Sequence, residues 1–235
     1  MVTPARADHR KMTFAVPDPA RRGAPLPADE DARLQALRHY DLLGGDPEPG
    51  LSNLVRLLSD LCDTSAAAVS IVDIDRQWFK ASIGVHLTHI PRDLSLRAWA
   101  ILEPTGTFVV PDATADERFR DNELVTGPMG LRAYAAVPLL SREQQPLGAL
   151  CLIDTRPRAF TPWHLTALHQ VGDHVSSYLA LRRFLLESNP ATSHGPPPTR
   201  YAPDSQPTRR RPSPSRLVPG SWRRPLTPPP APIEH

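Results

Sequence analysis

The stretch VSIVDIDRQWFKASIG, Val69–Gly84, decides the fold. It reads as a strand, a tight acidic turn and a second strand that carries a Trp-Phe pair. Along the first strand Val69, Ile71 and Asp73 alternate with Ser70, Val72 and Ile74. Apolar side chains fall on both faces, so both faces must be covered, and the spacing predicts a central strand. In the second strand, strict alternation groups Phe79 with Ala81 and Ile83 as core. It leaves Trp78 with Lys80 and Ser82 as a rim residue or an exposed contact.

Upstream of the hairpin, PADEDARLQALRHYDLLGG opens with acidic residues, carries Leu34, Leu37, Leu42 and the basic Arg38 and His39 later, and stops at Gly44-Gly45. This is the pattern of a short capped helix. Leu51, Leu54, Val55, Leu58 and Leu61 then follow helical spacing, with Cys62 near the end as a small buried hydrophobe. Downstream, GVHLTHIPRD reads as a loop and SLRAWAILE as a helix with Ser95 at its N-cap. A strand at Thr107–Val110 leads into a polar crossover, PDATADERFRDNELVTGPMG, with a capping box at Thr114 and Glu117. Strands at Tyr134–Leu139 and Leu147–Asp154 flank the turn SREQQP. The last helix has Thr161 as N-cap and Pro162 at its first position. Its apolar residues run from Leu165 through Leu168, Val171, Val175, Tyr178, Leu179 and Leu185 to Leu186.

Turns this short join neighbours in an antiparallel sheet. The expected fold class is therefore α/β of the α+β type. Five to six antiparallel strands form a central sheet, the N- and C-terminal helices lie on one face, and a short helix with the crossover roofs a pocket on the other. The last helix, at roughly 25 residues, outruns such a sheet. Its far end is expected to bury its leucines against a second copy, another protein or a neighbouring element, with a homodimer or heterodimer as the simplest arrangement.

Composition divides the chain. Of its 29 prolines, 14 lie in residues 189–235 and 5 in residues 1–28, so these two segments read as a disordered Pro/Arg-rich tail and a disordered Pro-rich head around one domain at 29–188. The formal charge of +2 hides the same division: the head is +3, the domain −6 and the tail +5. An acidic domain has no cationic surplus for a polyanion, so nucleic-acid contact is assigned only to the basic tail, which includes RRRPSPSR at Arg209–Arg216. A tail-mediated interaction, switched by phosphorylation of Ser213 or Ser215, is one alternative function. Apolar runs are far shorter than the ~20 residues of a membrane span, and no secretory signal opens the chain. A soluble, cytoplasmic, reduced protein is expected. The two cysteines, Cys62 and Cys151, have no metal-ligand spacing. The pair His86 and His89 lacks a third ligand, and His164, His169 and His174 fall on different sides of one helix and read as solvated.

Five phrases in register, VSIVDIDRQWFKASIG, PRDLSLRAWAI, VVPDATADERFRDN, LVTGPMGLRAYAAVPL and PLGALCLIDTRPRAFTPWH, resemble the GAF domains of bacterial sensory proteins. The resemblance covers about Arg33 to Arg183. It implies an antiparallel sensor fold, dimerisation through terminal helices and a small-molecule pocket between sheet and roof. Many relatives have a Cys and a His in the roof helix, in a pattern like SFCAHAI; here Arg97 and Trp99 stand at those places. Arginine is no nucleophile, so thioether attachment and metal ligation are not expected there, and no cofactor is assigned.

The polar set expected to converge on the pocket is Arg97 and Trp99 from the roof, Asp112, Arg118 and Asn122 from the crossover, and Arg132 and Tyr134 at the start of a strand. Guanidinium groups and aromatic rings facing one cleft suit a planar, anionic ligand. The same residues admit a structural reading, in which Asp112 pairs with Arg118 to hold the crossover and Trp99 fills the pocket. The expected function is a non-catalytic sensory or regulatory module in signal transduction. It binds a small molecule or a signalling protein and, with no kinase, cyclase or DNA-binding motif following it, signals in trans. A minority of GAF relatives reduce free methionine sulfoxide, so that activity through Cys62 and Cys151 is the alternative from the enzyme class.

Overall fold

The computed structural model describes residues 23–44 and 47–188. Expectations for the tail, and for the head up to residue 22, lie outside the described residues. Two helices, α1 (Glu30–Arg38) and α2 (Pro49–Leu61), precede the hairpin of β1 (Ala66–Val72) and β2 (Arg76–Ile83). Then come β3 (His89–Pro91), a 3-10 turn (Arg92–Leu94), α3 (Arg97–Ala100), β4 (Phe108–Val110) and α4 (Glu123–Thr126). The unit closes with β5 (Ala133–Leu140), β6 (Pro146–Asp154) and α5 (Pro162–Ser188). All pairings are antiparallel, in the order β3-β2-β1-β6-β5-β4. The opening strand, β1, is central as its two apolar faces require, with all seven residues buried.

One face of the sheet, with Ala67, Val69, Ile71, Val137 and Leu150, packs against Leu37 of α1, Leu51, Val55 and Leu58 of α2, and Leu168, Val175 and Leu179 of α5. The other face, with Ala68, Phe79, Tyr134, Ala149 and Cys151, packs against Leu96 and Ala100 of the roof and Phe119, Leu124 and Val125 of the crossover. Close approach on the helical side depends on Gly172, where a β-carbon would lie 2.8 Å from Val137 Cγ2. Thr161 caps α5 as its sequence predicts, its hydroxyl accepting from the His164 N–H at 3.3 Å.

Several local expectations are corrected. Phe79 does not share a face with Ala81. Ser70 pairs with Phe79 and Val69 with Ala81, so Lys80 is an extra residue, a β-bulge that reverses the facing of everything before it in β2. Phe79 and Gln77 consequently turn to the roof side, while Trp78 pairs with Ile71 and His89 on the helical side. The extra residue is held: Lys80 is buried and donates through Nζ to the Gly44 carbonyl at 2.5 Å.

The loop GVHLTHIPRD contains β3, an edge strand too short for a period-2 signal, which buries Ile90. Helix α1 ends at Arg38, not at the glycines, because the chain turns at Asp41 (φ 49°) to bury Tyr40 and Leu42 completely. No capping box forms at Thr114. Its backbone N–H donates to Asp112 Oδ1 at 2.9 Å in an Asx turn, and the crossover's only helical turn among the described residues, α4, is capped by Asn122. The roof helix is a single turn. Ser95 accepts from the Ala98 N–H at 3.1 Å, but from one position before the N-cap residue, Leu96.

Candidate functional site

Where the roof meets the sheet, the central strands present small side chains: Ala68 and Ser70 on β1, Ala149 and Cys151 on β6, Ala136 on β5. Arg97 descends from α3 onto this floor. It is 3% exposed, its Nη2 donates to Cys151 Sγ at 2.7 Å, and its guanidinium carbon lies 5.0 Å from the Phe79 ring and 5.9 Å from the Tyr134 ring. Among the described residues no carboxylate pairs with it, and its Nε has no hydrogen-bond partner. The Tyr134 hydroxyl, Ser70 Oγ and Gln77 Nε2 are also buried without partners. A buried cation facing π clouds and a thiol retains part of its cation–π attraction but little of its lost hydration.

This environment sets the state of its neighbours. Burial pushes the Cys151 thiol above its ordinary value, against the opposing charge of Arg97. Burial likewise raises the Tyr134 phenol well above the usual range, reinforced by Cys151 and opposed by Arg97. Both groups are therefore neutral at physiological pH, and the site keeps the single positive charge of Arg97.

The other residues expected at the pocket divide into two sets. Trp99 and Arg118 meet at the outer side of the roof. The Arg118 guanidinium lies 5.5 Å from Trp99, 5.1 Å from Phe108 and 4.9 Å from Phe119, and the Trp99 and Phe119 rings make an edge contact at 5.8 Å. Its acidic partner is Asp116, at 2.6 Å, and not Asp112. Asp112, Asn122 and Arg132 are instead engaged with nearby backbone and side chains. Asp112 accepts from the Thr114 N–H and hydroxyl, which hold its carboxyl below the ordinary value. Asn122 accepts from the Leu124 N–H and donates to the Leu94 carbonyl at 3.1 Å, tying α4 to the start of the roof. Arg132 donates to the Val125 and Leu131 carbonyls, each at 2.9 Å.

The roof is anchored at its other end by residues the sequence reading passed over. Glu30 of α1 accepts from Arg33 at 2.7 and 2.8 Å and from Arg92 at 2.5 Å, and all three side chains are buried. Arg33 also donates to the Val72 carbonyl, and Arg92 to the Asp73 carbonyl, both in the hairpin. The i, i+3 spacing of Glu30 and Arg33 was a visible signal, but nothing in it separates a surface pair from a buried one. Among the described residues no group of three or more His, Cys, Asp or Glu is placed to hold a metal, and no helix is long and apolar enough to cross a membrane. The two thiols are on opposite faces of the sheet, Cys62 in the core under α1, α2 and α5 and Cys151 under the roof.

A family model described as the GAF domain matches residues 46–179, more than half of the chain. The chain belongs to the GAF domain family. Membership supports a sensory or regulatory module. A cyclic di-GMP phosphodiesterase of Pseudomonas aeruginosa is 41% identical over 134 residues, 57% of this chain and 23% of that protein, so the chain spans less than a quarter of its relative's length. Among solved structures, the blue-light-absorbing form of the PixJ GAF domain of Thermosynechococcus elongatus aligns with a TM-score of 0.50 and 15% identity, over 70% of this chain and 98% of that one. The GAF domain of a phosphoenolpyruvate-protein phosphotransferase from Acinetobacter aligns at 0.46 and 16%, over 68% and 98%. The GAF fold seen in PixJ is thus the fold of this chain.

Proposed function

We propose that this chain is a non-catalytic regulatory module that binds a small anionic molecule beneath its roof and passes that occupancy to another signalling protein. The observation that carries the reading is Arg97: 3% exposed, unpaired by any acid among the described residues, and on a face of the sheet where the Tyr134 hydroxyl, Ser70 Oγ and Gln77 Nε2 are also buried without partners. An anion accepted by Arg97 would restore the missing counter-charge, and Tyr134 and Ser70 would donate to it. The contact of Trp99 with Arg118 would open to admit it. The identity to part of a cyclic di-GMP phosphodiesterase supports a setting in second-messenger signalling.

Native mass spectrometry of the chain purified from its own cells, as wild type and as Arg97→Met, tests this. A small acid retained by the wild type and lost from the variant is the expected result. A bare mass for both would overturn it.

A second reading has its own observation. Leu181, Phe184 and Leu185, on the last turns of α5, are 57%, 54% and 58% exposed, so no part of the described chain covers them. They support a partner, either a second copy or another signalling protein, docking on the end of α5.

A further inference from the structure

A groove lies on the opposite face of the sheet from the roof. Strand β4 covers β5 only as far as Ala136, whose partner is Phe108, so from Val137 onward the outer edge of β5 has no strand beside it. Helix α5 is drawn tight to Val137 at Gly172 and stands over the remaining edge. The result is a groove of about 500 Å³ between the His169–Ala180 face of α5, the Val137–Leu140 end of β5, the hairpin turn at Arg142 and the loop at 104–106. That volume is in the range of small-molecule sites, about 300–1,000 Å³.

Charges of both signs line the groove. Around it they are matched: Glu143 pairs with Arg183 at 2.6 Å, Arg182 with Glu48 at 3.2 Å, and His169 is tied to Thr107 at 2.6 Å. Asp173, on the helix, and Arg142, on the turn, both line the groove; both are exposed to solvent, and among the described residues neither side chain has a partner. They do not pair with each other. Ser176, Val137 and Leu140 line the same groove. We infer that this groove is a binding site for a zwitterionic dipeptide-sized molecule. Its ammonium group is held by Asp173, its carboxylate is held in bidentate fashion by Arg142, and an apolar side chain rests on Val137 and Leu140.

The inference does not depend on the roof site, and its test separates the two. The full chain is titrated with the dipeptide Ala-Leu, with its N-acetyl form and with its C-terminal amide, and binding is read by calorimetry and by ligand-observed NMR. The free dipeptide binds saturably, and each cap weakens it about tenfold or more, as loss of one charged contact does. Asp173→Asn weakens the free dipeptide but leaves the N-acetyl form unchanged; Arg142→Gln does the same for the free dipeptide and the amide. Arg97→Met leaves all three titrations as they were. No binding of Ala-Leu at millimolar concentration, or binding indifferent to both caps, overturns the proposal. Unchanged thermal melting of the two groove variants shows that any loss is local.

Discussion

The Arg97 guanidinium rests 2.7 Å from Cys151 Sγ, a cation laid against a neutral thiol with no acid beside it among the described residues. Because its charge is uncompensated, Arg97→Met, which keeps the length and removes the charge, is expected to stabilise the domain by about 1–2 kcal/mol, raising Tm by roughly 2–6 °C. Arg97→Ala removes the same charge but leaves a void on the floor of alanines, and should cost about 2–4 kcal/mol. Thermal melts of the two variants check the contrast; a loss of stability in both would mean that the charge itself holds the roof.

Cys62 and Cys151 are both almost wholly buried, with thiols pushed up chiefly by burial. Iodoacetamide at neutral pH should modify neither in the folded protein and both in denaturant. The sheet between them keeps the sulfurs from meeting, so mild oxidation should yield no intramolecular disulfide in the native state. Mass analysis after labelling reads both outcomes. Rapid labelling of Cys151, or a disulfide, would revive a thiol-based reductase.

Burial opposes ionisation of Glu30, but the hydrogen bonds and charges of Arg33 and Arg92 outweigh it, and the carboxyl is held below its ordinary 4.5. A carboxyl with a depressed folded value stabilises fully above its unfolded value, and that contribution disappears as pH falls through the folded one. Glu30→Gln should therefore cost about 3 kcal/mol at pH 7 and progressively less below pH 4.5. Urea unfolding of both proteins across this range measures the difference.

Gly148 on β6 faces Ile71 on β1 with no space for a side chain. A β-carbon there would collide with the Ser70 carbonyl oxygen and lie 2.8 Å from Ile71 Cα. Gly148→Ala should destabilise by about 3 kcal/mol, since relief requires separating two central strands. Chemical denaturation gives the value.

The proposed partner at the end of α5 predicts that Leu181→Glu with Phe184→Glu lowers the mass seen by sedimentation to that of a single chain while the melt stays unchanged. A wild-type chain that sediments alone and captures no signalling protein through this face would remove the reading.

Most of the architecture was legible because it rests on periodicity. The double-faced apolar pattern of Val69–Ile74 makes β1 central, and the spacing of Leu168, Val175 and Leu179 gives α5 its buried stripe. What escaped has one physical origin: single-residue events that periodicity does not carry. The extra residue at Lys80 reverses Phe79 and Trp78 without changing composition, and β3 is three residues long. Of the polar set expected at the pocket, Arg97 and Tyr134 are the two that are buried beneath the roof. Asp112, Asn122 and Arg132 had backbone partners within a few residues, and such local bonds compete with any convergence on a distant point.

The carboxylate of Glu30, shared by Arg33 of its own helix and Arg92 at the entrance to the roof, makes the first helix and the lid a single mechanical part. Lifting one without the other would strand an ion in the interior, at a cost of several kcal/mol. A movement that drew Arg92 and the roof away from the sheet would have to break its bond to Glu30, 62 residues away along the chain. In the proposed signalling role, this one carboxylate is the contact through which an opening of the roof would reach the first helix.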